Sequence, residues 1–343
     1  MITEIIRIDE KNIDCPNEHS KLQSAAKLIR GGGLVVFPTE TVYGLGANAT
    51  DAAAVKKIYE TKGRPADNPL IVHLCDPGDI GRYAKLTGTA DKLIKKFLPG
   101  PLTLVLEKKD SALDAACRLD TLALRVPKNK TARKLIELAG VPIAAPSANL
   151  SGRPSHTSPN RIIAELSGKV EAIICGENCE MGLESTVVSF NSDDSLDILR
   201  SGCITREMLS GYKIRESGSK EAALPPRSPG QKYAHYSPNA PLYMLSGDEE
   251  RVADFVRAEM QTKRAGFLCH DEFLKYFADQ SRIISLGKKN DAQNQAKNLF
   301  EALNAFNELD VELIYAIEPE KSGIGEAIYS RLIKAAGGKV IKI

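Results

Sequence analysis

The chain has 343 residues, 43% of them hydrophobic and 26% charged, which excludes a disordered or fibrous protein and, at this length, points to two domains rather than one core. Lysine plus arginine number 46 against 44 for aspartate plus glutamate, so no global charge argues for nucleic-acid binding, although a local basic groove stays open. No apolar run approaches the roughly 20 residues that span a bilayer, and MITEIIRIDEKNIDCPNE lacks a basic-then-apolar secretory pattern, so a cytoplasmic location and no membrane partner are expected.

Helix and strand patterns alternate from residue 21. Residues 21–30 read as a helix with Leu22, Ala25, Ala26 and Ile29 on one face, ended by Gly31 to Gly33. A strand over 34–37 runs into Pro38, Thr39, Glu40 and Thr41, with Tyr43, Gly44, Leu45 and Gly46 following in the same strand-end loop. A helix over 52–61 is capped by Asp51 or Thr50. Next come a strand at 70–74, a helix at 90–97 and a strand at 102–106 after the turn Pro99-Gly100-Pro101. Strands at 122–126 and 143–145 flank a helix at 131–138, and strands at 170–175, 185–190 and 196–199 close the unit. That closing run predicts an open, twisted mixed sheet rather than a purely parallel one. Residues 216–241, rich in Ser, Pro and Gly, have linker composition, yet carry Lys232, Tyr233, His235 and Tyr236, which a passive tether does not need.

A smaller Rossmann-like α/β unit follows, with strands at 242–245, 266–269, 313–317 and 339–343 and helices at 249–260, 292–306 and 324–336. The helix at 292–306 carries an apolar stripe of Ala296, Leu299, Phe300, Leu303 and Phe306. The expected organisation is thus a catalytic domain over 1–212, a linker or lid over 213–240 and a C-terminal domain over 241–343.

The seven cysteines are scattered. Only Cys175 and Cys179 lie close together, without the second pair or nearby histidine that zinc requires, so free reduced thiols are expected and no metal site. No GxxxxGK[ST] loop occurs, and Gly323 and Gly325 in SGIGEA make only half a dinucleotide fingerprint, better read as a helix-entry turn. Anion binding must therefore come from scattered groups. Lys62 and Arg64 flank Gly63 at a helix end, where the macrodipole alone favours cations, but the stiff GRPADNP around Asn68 suits a loop gripping phosphate or carboxylate.

His73 sits in the apolar run LIVHL, either as a satisfied core residue or facing a site. Arg125 in LALRVP needs an anion if buried, which a substrate carboxylate or a structural Asp or Glu could supply. Ser147, Asn149, Ser151, Ser155 and Thr157 offer small donors and acceptors in a Pro/Gly-stiffened loop, and Glu184, Ser185, Thr186 and Arg200 add polar strand ends. No GxSxG elbow surrounds Ser147, so ligand contact rather than nucleophilic attack is its expected role.

In this order FPTETVYGLG, KGRP, the PGPLTLVL turn, LALRVP, PSANLSG, ESTVV and LRSG closely resemble the YrdC/YciO family, and SPGQKYAHYSP with SGIGEAI and RLIKAA resembles its long, two-domain threonylcarbamoyl-AMP synthases, over essentially the whole chain. The resemblance implies synthesis of threonylcarbamoyl-AMP and pyrophosphate from L-threonine, bicarbonate and ATP. Other proteins then transfer the group to adenosine 37 of tRNAs reading codons that begin with A; weak tRNA contact is a further expectation. It implies that Thr41, His73, Arg125, the strand end at Ala145 and Ser185 hold L-threonine. Lys62, Arg64, Asn68, Thr121, Ser147, Asn149, Ser155 and Arg200 would hold ATP or the adenylate, with Tyr236 folding over the nucleotide. Magnesium would accompany ATP, bridging phosphate oxygens. No protein nucleophile is required, in agreement with the lack of a triad. A noncatalytic RNA-binding module and carbamoyl transfer from carbamoyl phosphate are the competing readings. The first lacks aromatic-rich RNA platforms, the second its acylphosphatase and zinc-finger segments.

Overall fold

The computed structural model describes residues 1–117, 119–215 and 235–343. The chain divides into two units that are not contiguous in sequence: residues 152–155 and 181–183 cluster with the part from 235 onward, the remainder with the N-terminal part. Most of the Ser/Pro-rich segment, including Lys232 and Tyr233, lies outside the described residues.

The first unit runs β1 (Glu4–Arg7), α1 (Pro16–Arg30), β2 (Val35–Phe37), β3 (Gly44–Asn48), α2 (Ala52–Lys62), β4 (Ile71–His73), α3 (Ile80–Tyr83), α4 (Gly88–Phe97), β5 (Leu102–Glu107), β6 (Thr121–Arg125), α5 (Lys130–Ala139), β7 (Ile143–Ala144), α6 (Pro159–Leu166), β8 (Ala172–Cys175), β9 (Thr186–Phe190) and β10 (Leu196–Arg200). The strands form one sheet in the order β1-β8-β2-β3-β7-β4-β6-β5-β9-β10. It is mixed: β4 pairs β6 and β5 pairs β9 in parallel, whereas β3–β7, β4–β7 and β5–β6 are antiparallel.

Local chemistry sets the element ends. Helix α1 starts earlier than periodicity alone suggests, because Pro16 fits the first helical turn, where its missing N–H is no loss. Asp51 caps α2 through Ala53 N and Ala54 N, and Gly63 ends it at φ 61°. Residues 44–48 form strand β3 instead of the expected loop. A Cβ at Gly46 would lie 2.8 Å from both Ile143 Cγ2 and Phe37 Cε1, so the glycine that weakens the strand pattern is what lets the neighbours close on it. Helix α6 and edge strand β1 were also absent from the sequence reading. The Ser158-Pro159 entry to α6 was legible, but β1 buries only Ile6.

Strand alternation sorts side chains between two faces. Leu34 and Val36 join a core with Ala54, Val55 and Ile58 of α2, Leu93 and Ile94 of α4 and Leu166 of α6. Val35 and Phe37 point the other way, into a core with Leu22, Ala25, Ala26 and Ile29 of α1 and Leu135 and Ile136 of α5.

The second unit contains β11 (Leu242–Ser246), α7 (Glu249–Thr262), β12 (Ala265–Cys269), β13 (Ile283–Ser285), α8 (Ala292–Ala305), β14 (Leu313–Ile317), α9 (Ile324–Ala335) and β15 (Val340–Lys342). Its sheet, β13-β12-β14-β11-β15, is parallel throughout. Phe267, Cys269, Tyr315 and Ile317 pack with Val252 and Val256 of α7. On the opposite face a Cβ at Gly266 would meet Phe306 at the end of α8, giving the helix-on-both-faces arrangement of Rossmann-like folds. Gly323, at φ 53°, is the N-cap of α9, so SGIGEA is a helix entry. No helix among the described residues is long and apolar enough to cross a membrane.

Candidate active site

The same alternation places the candidate residues of the first unit. On β4 and β6, Val72, Leu122 and Leu124 turn into the main core, so Ile71, His73, Thr121, Ala123 and Arg125 share the opposite face. There Ile71, Val105, Ala123 and Val187 form a small separate apolar patch. His73 and Arg125 are register partners on adjacent parallel strands, and the His73 ring meets the edge of Phe37 at 5.9 Å.

Arg125 is buried, and its anion is structural: Nη2 donates to Glu40 Oε1 at 2.7 Å, with the two side chains only 4% and 2% exposed. The other carboxylate oxygen of Glu40 accepts from Asn129 N, the cap of α5. Burial alone would raise the Glu40 pKa, but the Arg125 charge and hydrogen bond outweigh it and hold the carboxyl below its ordinary value. His73 is driven the other way, down to about 3, first by burial and then by the Arg125 charge, so its imidazole is neutral. Arg125 Nε and His73 Nδ1 are buried without a hydrogen-bond partner among the described residues. Buried polar atoms are rarely left so, and two of them side by side suit a small polar ligand.

Thr41 follows Glu40, the partner of Arg125, in a turn locked by Thr39. Thr39 Oγ1 gives its only proton to Val42 O, which makes Thr41 Oγ1 the donor in their 2.8 Å contact and leaves Thr41 with acceptor lone pairs. Ala145 follows β7, its N–H bonded to Ile71 O.

A second cluster joins the end of α2 to the 147–151 loop. Lys62 Nζ, fully buried, donates to Ser147 O at 2.6 Å and to Asn149 O, and Ser151 N returns a bond to Lys62 O. Ser147 Oγ donates to Asn149 Oδ1 at 2.6 Å. Burial, then repulsion from Arg64, lowers the Lys62 pKa to about 7. The lysine expected to grip phosphate therefore also clamps the loop carrying two other expected nucleotide contacts. Arg64 donates to Asn68 O and Pro69 O, and Asn68 Oδ1 is buried without a partner among the described residues.

The third cluster lies at the start of β9 and the end of β10. Arg200 donates from Nε to Ser185 O at 3.0 Å and from Nη2 to Ser185 Oγ at 3.1 Å, and Ser185 Oγ lies 2.7 Å from Thr103 Oγ1. One expected threonine contact and one expected ATP contact are thus hydrogen-bonded to each other. Ser155 and Tyr236 belong to the second unit, where Ser155 O accepts from Asn304 and the Tyr236 ring packs 5.2 Å from Phe300. Sequence reasoning assigned no role to Thr103, although a hydroxyl within the apolar run LTLVL marked it.

The first unit is an α/β sheet domain with buried cationic and hydroxyl groups gathered at its strand ends, and its sequence holds no P-loop. Residues 27–202 match the Sua5/YciO/YrdC family, described as telomere recombination, and residues 204–337 match the C-terminal domain of threonylcarbamoyl-AMP synthase. The chain is similar to threonylcarbamoyl-AMP synthase of Bacillus subtilis, 43% identical over 94% of both chains. It is likewise similar to that of Pyrococcus abyssi, 39% identical over 95% of this chain and 97% of the relative. The crystal structure of P. abyssi Sua5 complexed with L-threonine superposes with a TM-score of 0.86 at 37% identity, covering 100% of each chain. The protein belongs to the threonylcarbamoyl-AMP synthase family, in its two-domain form.

Proposed function

We infer that this protein, whose relatives are named threonylcarbamoyl-AMP synthase, makes threonylcarbamoyl-AMP and pyrophosphate from L-threonine, bicarbonate and ATP, and so supplies the threonylcarbamoyl group for tRNA modification at position 37 in the cytoplasm. The observation that carries the reading is the buried Arg125, its Nε unpartnered beside a neutral His73, in a chain that superposes along its full length on a threonine complex. A guanidinium offers a carboxylate directional, charge-assisted hydrogen bonds. Thr41, the main chain at Ala145 and Ser185 complete the amino-acid contacts in this reading. In the same reading Lys62, Arg64, Asn68, Thr121, Ser147, Asn149 and Arg200 face the nucleotide.

Bicarbonate takes up the proton given up by the threonine ammonium and loses water, and the free amine adds to the resulting carbon dioxide and sheds its second proton to give a carbamate. One carbamate oxygen then attacks the α-phosphorus of ATP, the bond to the β-phosphate oxygen breaks, and pyrophosphate leaves. No side chain forms a covalent bond. The work of the residues is to align carbamate and phosphate, worth about 7–11 kcal/mol when reacting groups are well oriented, and to set cations where phosphate charge develops. Lys62 suits this work, because a triphosphate restores the charge that burial weakens. No group of three or more His, Cys, Asp or Glu among the described residues could cage a metal. Magnesium would enter on the triphosphate, held by phosphate oxygens and water.

Incubation with threonine, bicarbonate and ATP tests the proposal, with mass detection of the adenylate and assay of pyrophosphate. Release should need all three substrates, and release indifferent to threonine would overturn it. Downstream transfer proteins and weak tRNA contact follow from the same proposal.

A further inference from the structure

We propose that Glu40 makes the amino-acid pocket selective for a zwitterion over a plain carboxylate of the same shape. The inference rests on the reading above, in which Arg125 receives the threonine carboxylate. A buried arginine by itself is a general anion trap. Here it is paired at 2.7 Å with a carboxylate that is 2% exposed, so the pair is neutral before any ligand arrives. Glu40 cannot swing aside, because its second oxygen accepts from Asn129 N, and Asn129 Oδ1 caps α5 through Ala132 N.

The charged or titratable groups bearing on the pair add no positive charge. His73 is neutral, burial pushes the Cys179 thiol up and keeps it uncharged, and Glu10, accepting from Asn129 Nδ2 at 3.3 Å, is a further acid. A carboxylate entering alone would leave an uncompensated negative charge in a buried site. An amino acid brings its own ammonium and adds no net charge. Two like charges about 6 Å apart at an effective dielectric of about 20 repel enough for a discrimination on the order of a hundredfold. The amine so required is also the atom that becomes the carbamate nitrogen.

The probe pair is L-threonine and 3-hydroxybutyrate, which is threonine without its α-amine. Binding of each is measured by calorimetry on the full chain, wild type and Glu40→Gln, with Glu40→Asp as the charge-retaining control. Wild type should bind 3-hydroxybutyrate about a hundredfold more weakly than threonine. Glu40→Gln should shrink that ratio at least about tenfold, and Glu40→Asp should largely restore it. If Glu40→Gln weakens both ligands equally, the carboxylate only braces Arg125 and the proposal is overturned. Should Glu40→Gln fail to fold, wild type still decides, because 3-hydroxybutyrate binding within about tenfold of threonine overturns it. Arg125→Gln separates the two levels. Unchanged threonine binding there refutes the pocket itself, whereas lost binding with an unaltered Glu40 ratio refutes the selectivity alone.

Discussion

Replacing Lys62 by methionine removes a fully buried ammonium while keeping the length of its stem. Two effects oppose each other. The carbonyls of Ser147 and Asn149 lose their donor, at about 1–3 kcal/mol for each buried acceptor left unsatisfied. Against this, the fold no longer has to hold a charge whose pKa burial lowers from 10.5 to about 7, a burden on the order of 5 kcal/mol at and below neutral pH. At pH 7 the two nearly cancel, so unfolding free energy should change by no more than about 2 kcal/mol. The pH dependence is the sharper readout. Between the folded and unfolded pKa values the unfolded state binds more protons, so the wild type gains stability as pH rises from about 7 toward 10.5. Urea unfolding at pH 6.5, 8 and 9.5 should show wild type gaining on Lys62→Met by up to about 1.4 kcal/mol per pH unit above neutrality. A difference that stays flat across this range would refute the claim that Lys62 is buried and electrostatically strained.

Arg200→Ala removes both bonds to Ser185 and should reduce threonine-dependent pyrophosphate release at least about a hundredfold, with a far-ultraviolet circular dichroism spectrum like wild type; near-normal turnover would remove Arg200 from the site. His73, neutral when folded with a pKa of about 3 against 6.5 when exposed, makes the wild type lose stability as pH falls through that window. Relative to His73→Asn the loss should reach about 2 kcal/mol by pH 5, measured by urea titration. Gly46→Ala forces a methyl to within 2.8 Å of Ile143 and Phe37 and should cost about 1–3 kcal/mol; an unchanged melting temperature would show that the β2–β3–β7 contact is looser than described.

What was legible in the residues was local. Helix faces such as Leu22, Ala25, Ala26 and Ile29, caps such as Asp51 and Gly63, and the polar runs after strands all report demands met within a turn or two of chain. Motif order along the chain likewise identified the family. Strand β3 escaped because its glycines answer to Phe37 and Ile143, side chains that only the assembled sheet brings alongside. The sequence alone left open whether Arg125 meets a substrate or a structural acid. The answer, Glu40, lies 85 residues away and depends on β2, β7, β4 and β6 taking their places in one sheet. The same holds for Thr103 with Ser185 and for Lys62 with the carbonyls of Ser147 and Asn149. Periodicity records which side chains are buried, but partnership between distant polar groups is set by strand order and register, so those pairings belong to the tertiary structure.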